Sequence, residues 1–217
     1  MIIILVIVGA ILALVVLAAF LDMYRLELPF NQALAYAPFK LIRRISDKQM
    51  TAARTSPTPV IYAIWNQSTL DPALMLSLLP DQTLHILDEH SAHSGWLEPW
   101  RNLARTIEFN AHHVFVSRRL VRVLKGNGRL AVYFPNDTSP DAKALRLYRA
   151  VSRIALQADA SILPIYVSGG ANNRGTFDRL TIRTLPPLKI PEITARQEGD
   201  GNTTAALLHE RMMEVRR

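Results

Sequence analysis

Met1 to Phe20 form an unbroken apolar run at the start of the chain. As an α-helix this run would be about 30 Å long, which matches the hydrocarbon core of a bilayer. Cleavable signal peptides carry Lys or Arg before a shorter apolar stretch, and neither feature is present. The run therefore predicts an uncleaved transmembrane anchor over residues 1–22. A buried core helix is the alternative, although core helices seldom lack polar side chains for so long.

Charge is unevenly distributed after this run. Between residues 22 and 54, six Lys or Arg residues outnumber three acidic residues. By the positive-inside bias, this excess places the rest of the chain on the cytoplasmic side of the membrane. The formal net charge of +7 favours anionic lipid headgroups as the counter-surface of an anchored chain. The sequence shows no signature of a nucleic-acid-binding module, so we expect no nucleic-acid partner.

Residues 23–59 form a juxtamembrane segment with an amphipathic pattern. Phe39, Ile42 and Ile45 share one helical face, and the neighbouring basic residues lie mostly off it. Such a segment can lie in the headgroup region of a bilayer, or it can be the first helix that packs on the following domain. The sequence favours neither alternative over the other. Pro38 is predicted to interrupt the helix in both cases.

Residues 60–217 alternate between apolar or β-branched runs and segments of helical period, and no second linker divides them. This alternation predicts one α/β domain with a mixed or largely parallel sheet flanked by helices. Ligands in such sheets bind beyond the carboxyl ends of the strands. Two polar loops occupy that position, "WNQSTLD" and "PNDTSP". Strands are predicted over 60–65, 84–87, 129–134, 161–167 and 180–185, and helices over 72–79, 96–104, 113–125, 142–157 and 203–216.

Several stretches of this domain resemble one known family, the glycerolipid and lysophospholipid acyltransferases. "WNQSTLDPALMLSLLP" is similar to the first motif and the helix after it, and "GRLAVYFPND" to the strand that leads into the third motif. "ASILPIYVSG" is similar to a later strand, and "LTIRTLPPLKIP" with "LLHERMMEVRR" resembles the end of the domain. The likeness is greatest to the N-terminal acyltransferase domain of 2-acylglycerophosphoethanolamine acyltransferase, also called acyl-ACP synthetase. The resemblance implies a glycerolipid-acyltransferase-like fold in a protein of the bacterial inner membrane.

The first motif is altered at its catalytic position. The resemblance aligns the family's histidine with Asn66, and it retains the serine as Ser68 and the aspartate as Asp71. In the family, the histidine removes the proton from the acceptor hydroxyl as that hydroxyl attacks the acyl thioester, and the aspartate orients the imidazole. An amide cannot accept that proton. The resemblance therefore implies that Asn66 and Asp71 are a degenerate catalytic pair and that Ser68 binds substrate.

The third motif is altered as well. Phe134 and Pro135 match the family, whereas its glutamate falls on Asn136 and its glycine on Asp137. The first replacement removes a negative charge but keeps hydrogen-bonding groups, and the second loses the conformational freedom of glycine. A family lysine in the following helix corresponds to Arg146. The resemblance implies that all five residues bind substrate.

Structural interpretations compete with these functional ones. Asp71 followed by Pro72 is typical of a helix start, with Asp as the N-cap and Pro at the first helical position. A basic stripe near the third motif could bind a phosphate or an anionic membrane, or could be an ordinary solvated surface. It consists of Lys143, Arg146, Arg149 and Arg153.

Five histidines cluster in the middle of the chain, at positions 85, 90, 93, 112 and 113. Acidic residues lie among them, which invites a metal site or a general base. Their spacings match no strong metal signature, so solvated surface histidines are expected and no metal site is predicted.

Together these features predict a membrane-anchored lysophospholipid acyltransferase-like protein that is catalytically impaired and retains binding of lipid or acyl carrier. An active acyltransferase with a non-standard base is one alternative, and a membrane-tethered interaction protein without a lipid pocket is another. No cofactor is expected, apart from acyl-ACP or acyl-CoA as the co-substrate of an active enzyme. The expected partners are membrane lipid, a lysophospholipid, and an acyl carrier protein or a separate acyl-ACP ligase.

Overall fold

The computed structural model describes residues 2–66, 70–87, 91, 93–108, 114–135, 142–168, 180–189, 206, 208–210 and 213–214. Seven strands in these ranges form one sheet: β1 (Val60–Asn66), β2 (Thr83–Leu87), β3 (Arg105–Glu108), β4 (Arg129–Pro135), β5 (Ser161–Ser168), β6 (Thr181–Thr184) and β7 (Leu188–Lys189). The helices with defined bounds are α1 (Ile2–Leu26), α2 (Phe30–Arg43), α3 (Met50–Arg54), α4 (Asp71–Leu78), α5 (Glu98–Arg101), α6 (Val114–Lys125) and α7 (Ala142–Ala158). A 3₁₀ turn, Gly95–Leu97, precedes α5. Residues 206, 208–210 and 213–214 are also helical.

The sheet is mixed. Its strand order is β3-β2-β4-β1-β5-β6, and β7 also pairs with β5. The strands from β3 to β5 in this order run parallel, whereas β6 and β7 run antiparallel to β5. Parallel neighbours require long crossovers, which helices usually provide. The predicted α/β fold, a mixed sheet flanked by helices, is confirmed.

Both faces of the central strand β1 are buried. Ile61 and Trp65 lie on one face, in a core that includes the inner sides of α6 and α7. Tyr62 and Ile64 lie on the other face, in a core shared with α2, α3 and α4. Because successive side chains point to opposite faces of a strand, a strand that separates two cores is apolar throughout. This explains the unbroken apolar run "VIYAIW".

The N-terminal helix α1 is long and apolar enough to cross a membrane, and only 6% of its most apolar 18-residue stretch is buried. A core helix of a soluble domain would be mostly buried, so the core-helix alternative does not fit α1. Its buried residues, Ala19, Asp22 and Leu26, all lie near its C-terminal end. The rest of the helix therefore extends away from the core of the domain.

The second helix, α2, packs on the domain. Its residues Gln32 and Tyr36 are fully buried, and the Gln32 side-chain amide donates to the carbonyl oxygens of Leu76 at 3.3 Å and Leu79 at 3.0 Å. These bonds satisfy carbonyl groups that the C-terminal end of α4 leaves open. The packing alternative is therefore observed for this segment. The outer side of α2 still exposes Phe30, Leu34, Leu41 and Ile42.

The prediction that Pro38 interrupts this helix is wrong, because α2 continues through it to Arg43. Proline removes one backbone N–H, and the carbonyl that this N–H would have bonded belongs to Leu34. Leu34 is exposed, so water can satisfy that carbonyl. The helix therefore tolerates the proline.

An ion-pair cluster joins the end of α1 to α2. The fully buried carboxylate of Asp47 accepts hydrogen bonds from Arg25 and from the Tyr36 hydroxyl, the latter at 2.8 Å. Lys40 Nζ lies 3.4 Å from the same carboxylate and also pairs with Asp22. Burial, and then the neighbouring Asp47 carboxylate, raise the pKa of Tyr36, so this hydroxyl is a neutral donor. Charged contacts therefore fix the end of α1 to the domain.

Several elements differ from the sequence-based expectation. The helix α3 and the two-residue strand β7 are not among the predicted elements. The edge strand β3 is also absent from the predicted strands, because "RTIE" is short and half of it is charged. The helix predicted over 96–104 is reduced to the 3₁₀ turn and the four residues of α5, since the chain must turn back here to enter β3 parallel to β2.

A tight turn leads from α6 into β4. Asn127 has a φ of 57°, and the Gly128 N–H donates to the carbonyl oxygen of Val123 at 3.0 Å. A Cβ at Gly128 would lie 2.5 Å from that oxygen, which is too close for any side chain. Glycine therefore allows β4 to begin directly against the end of the helix.

Candidate functional site

The carboxyl ends of β1 and β4 lie side by side in the middle of the sheet. Their register pairs Trp65 with Phe134 and Asn66 with Pro135. Residues 66 and 135, which are far apart in sequence, therefore lie on adjacent backbones. This is the position at which parallel α/β sheets bind ligands.

Asp71 is the first residue of α4 and is 3% exposed. The residue that precedes the helix is Leu70, so the predicted N-cap position of Asp71 is wrong by one residue. All eight residues of α4 are buried, because the helix lies between the sheet, α2 and α5. The first turn of a helix favours a negative charge, so this position suits a carboxylate even without a capping role.

A polar side chain of β4 lies near Asp71. Burial raises the pKa of Tyr133 well above its usual value, and the Asp71 carboxylate raises it further. The Tyr133 hydroxyl lies 2.9 Å from Nδ1 of His85 on β2. Tyr133, which is partly buried, therefore interacts with two buried polar residues, Asp71 and His85.

The expectation that His85 is a solvated surface residue is wrong. It is fully buried in β2, whose five residues are all buried. Burial lowers the pKa of His85 to about 3, so its imidazole is neutral at physiological pH. Among the described residues its Nε2 has no hydrogen-bond partner. The strand predicted over 84–87 includes His85, but its local sequence does not specify that this polar residue is buried.

We expect His85 to make the protein less stable in acid. Its pKa is about 3 in the folded protein, against an ordinary pKa of 6.5 for histidine, so the unfolded state binds an additional proton between these pH values. The free energy of unfolding therefore keeps its full value above about pH 6.5. It decreases as the pH falls below this value, by at most about 1.4 kcal/mol per pH unit. Urea unfolding at about pH 7, 6 and 5 measures this loss.

The matched variant for this prediction is His85→Gln, which keeps a hydrogen-bonding side chain but does not titrate in this range. Its free energy of unfolding should fall less steeply with decreasing pH than that of the native protein. Because carboxylates titrate in both proteins, the difference between the two curves isolates His85. Parallel curves would show that the imidazole is not held neutral by burial.

Phe134 and Trp65 lie on the face of the sheet that packs under α6 and α7. Phe134 is fully buried, and its ring centroid lies 4.5 Å from that of Tyr148 on α7. The His209 ring contacts Tyr148 and Trp65, with centroids 5.3 Å and 5.9 Å apart. Phe134 therefore supports the end of β4 by packing, and its contact with a substrate stays a prediction. Nothing in the local sequence around His209 distinguishes this residue.

The structure brings Asn66, Pro135 and Asp71 to one end of the sheet. Arg146 is exposed in the second turn of α7, which belongs to the helix layer opposite α4, and its contact with a substrate stays a prediction. Ser68, Asn136 and Asp137 lie outside the described residues, as do His90, His112 and His113. Within the ranges that are described, no group of three or more His, Cys, Asp or Glu residues could hold a metal ion.

Comparison with known proteins adds one result to this geometry. No known protein-family model matches the chain. The crystal structure of the 1-acyl-sn-glycerophosphate (LPA) acyltransferase, PlsC, from Thermotoga maritima resembles it with a TM-score of 0.50, over 93% of this chain and 89% of that chain. The two sequences are 15% identical, so the likeness is one of fold. The chain therefore has the acyltransferase fold that its sequence motifs implied.

Proposed function

We propose that this chain is a membrane-anchored protein of the acyltransferase type that binds a lysophospholipid and transfers acyl chains slowly or not at all. The observation that carries the proposal is the pairing of Asn66 with Pro135 at the carboxyl ends of two central strands. The sequence resemblance aligns Asn66 with the family's histidine, so the proposal has an amide in the role for which the acceptor hydroxyl needs a base. Asp71 remains buried nearby, but the residue that it would orient is not an imidazole.

Acyl transfer from a thioester forms a C–O bond, releases a thiolate and requires that the attacking hydroxyl lose its proton. General-base catalysis of that proton loss contributes about 10²- to 10⁴-fold to the rate. Without the base, only the binding and orientation of the two substrates still favour the reaction. We therefore expect a site that binds its substrates but converts them slowly.

A working enzyme would need a base from another position. His85 is fully buried, and its pKa of about 3 makes it a weak base. His209 contacts Trp65 and Tyr148 on the sheet face opposite α4. Neither of these described histidines suits the role, which favours the impaired form of the proposal.

The proposal includes a single-pass anchor in a bacterial inner membrane, with the sheet domain in the cytoplasm. The excess of basic residues after α1 supports this orientation. The exposed apolar side chains on the outer side of α2 support contact with lipid as well. An acyl carrier protein, or a separate acyl-ACP ligase, would supply the acyl chain. The sequence resemblance makes 2-acylglycerophosphoethanolamine the first lysophospholipid to test.

The test uses the full chain in nanodiscs with labelled acyl-ACP or acyl-CoA and a series of lysophospholipids. We expect saturable lysophospholipid binding, with formation of diacyl lipid about 10²- to 10⁴-fold slower than that of PlsC assayed alongside. Turnover within about tenfold of PlsC would show that another group serves as the base. Failure to bind any lysophospholipid would instead favour a tethered interaction protein without a lipid pocket.

A further inference from the structure

Helices α6 and α7 pack beside each other on one face of the sheet and carry positive charge without acidic neighbours on either helix. Each contains four Lys or Arg residues, and neither contains Asp or Glu. The exposed members form a surface that we name the basic face: Arg118, Arg119, Arg122, Lys125, Arg146, Arg149 and Arg153. In the part of the chain that the structure describes, none of them forms an ion pair.

The spacing of these residues explains why they share a surface. Basic residues recur at intervals of three and four along each helix, so each set lies on one side of its helix. The opposite sides are buried against the sheet through Leu120 and Leu124 of α6 and Tyr148 and Val151 of α7. Packed helices lie about 8–10 Å apart, which is close to the Debye length of about 8 Å. The basic residues of α6 and those of α7 are therefore close enough for their electrostatic fields to overlap, so the two sets act as one positive patch.

The position of the basic face argues against a membrane as its partner. α1 and α2 pack on the other face of the sheet, and it is α2 that exposes apolar side chains there. Each layer of an α/β domain is about 10 Å thick. The basic face is therefore separated from the apolar side by more than the Debye length of about 8 Å. A bilayer that holds α1 and contacts α2 would lie on the side of the sheet opposite the basic face. This position favours a soluble protein as the partner of the basic face.

One exposed apolar residue lies at the end of the basic face. Leu156 of α7 is 57% exposed, and it follows Arg149 and Arg153 by seven and three residues, so it lies on the same side of the helix. Protein interfaces contain apolar contacts as well as charged groups. Leu156 therefore adds an apolar contact one turn beyond Arg153.

The basic face also begins beside the candidate site. Helices that follow parallel strands start at the carboxyl edge of the sheet, and here α6 follows β3 while α7 follows β4. Arg146 lies in the second turn of α7, and Arg153 lies about 10 Å further along the helix axis. A protein docked on both helices would therefore reach the edge at which Asn66 and Pro135 meet.

We propose that the basic face docks the acidic surface of a soluble protein, and that this protein is the carrier that delivers the acyl chain to the site. The inference that this protein carries an acyl chain rests on the proposed function. The location of the docking surface rests on the charge, exposure and position of α6 and α7. Complementary charge of this kind mainly sets the association rate and the orientation of the partner. The interaction should therefore be weakened by salt.

The experiment measures binding of purified acyl carrier protein to the full chain in nanodiscs made of neutral lipid. Two variants reverse the charge of the basic face, Arg118→Glu/Arg122→Glu on α6 and Arg149→Glu/Arg153→Glu on α7. We expect each to weaken binding at least about tenfold, and we expect native binding to weaken as NaCl is raised from about 50 to about 300 mM. The matched control is Lys48→Glu/Arg183→Glu, which makes the same change in net charge at exposed positions outside the basic face. It should change the dissociation constant less than about threefold.

Three results would overturn the proposal: no binding of the carrier protein, equal loss in the control variant, or binding of anionic vesicles that depends on the basic face. Lysophospholipid binding is measured on the same samples and reports separately on the proposed function. If the lipid still binds while the carrier does not, the docking surface alone is refuted. If neither binds, the proposed function fails as well.

Discussion

Replacing Asn66 by His should raise the rate of acyl transfer by about 10²- to 10⁴-fold, because the imidazole supplies the base that the amide cannot provide. Asn66 ends β1 beside Pro135, and Asp71 is buried at the start of α4. Since the base acts in the transition state, the gain should appear in kcat and kcat/KM together and leave lysophospholipid binding unchanged. Mass-spectrometric measurement of diacyl lipid formation, at several concentrations of lysophospholipid, tests this expectation.

Three companion variants define what the histidine does. Asn66→Gln keeps an amide and should gain nothing. Asn66→His/Asp71→Asn should lose most of the gain, because the carboxylate that orients the imidazole is gone. Asn66→His/Asn136→Glu restores the acidic residue of the third motif and should exceed the single variant. If neither histidine variant gains activity while both still bind lysophospholipid, the site does not position an acyl donor against its acceptor, and the proposed origin in an acyltransferase is refuted.

Replacing Asp47 by Ala should destabilise the protein by about 3 kcal/mol. Removing one partner of a buried ion pair costs about 3–5 kcal/mol, since it leaves the remaining charge without compensation. Here the lower end applies, because the Arg25 side chain is 50% exposed and can be solvated, and Lys40 keeps its pairing with Asp22. The Tyr36 hydroxyl would lose its acceptor in a fully buried position. Urea unfolding of the full chain in detergent micelles measures the change.

Two further substitutions make the Asp47 result interpretable. Asp81→Ala removes an exposed carboxylate and should change the free energy of unfolding by no more than about 0.5 kcal/mol. Tyr36→Phe removes only the hydroxyl and should cost about 1 kcal/mol. If Asp47→Ala is no less stable than Asp81→Ala, the cluster between α1 and α2 contributes nothing to stability. Helix α1 would then be joined to the domain by apolar packing alone.

The central strands were the most predictable part of the fold. The sequence predicts strands at 60–65 and 129–134, and they are observed at Val60–Asn66 and Arg129–Pro135. Both are apolar runs bounded by proline or glycine, so their signal is local and strong. The edge strand β3 gives no such signal, because a strand at the edge of a sheet is short and partly charged.

The polar contacts of the interior were the least predictable part. His85 appears in the sequence as one member of a histidine-rich stretch, and its burial depends on Tyr133, which is 48 residues away. Asp47 lies between charged and polar residues in the sequence, yet it is fully buried and paired with residues of α1 and α2. Hydropathy assigns such residues to the surface, because it cannot register a partner that arrives from a distant segment.

The sequence by itself determined the apolar helix at the N-terminus, the alternation that produces an α/β domain, and the amide at position 66, where the resemblance implies a histidine. These properties are read from neighbouring residues, since hydrophobic period and side-chain chemistry are local. Only the tertiary structure decided that Asn66 lies beside Pro135, that His85 is buried and neutral, and that seven basic residues of α6 and α7 face away from the apolar helices. Strand register and burial depend on the packing of segments that are far apart in the chain, and no local pattern specifies them.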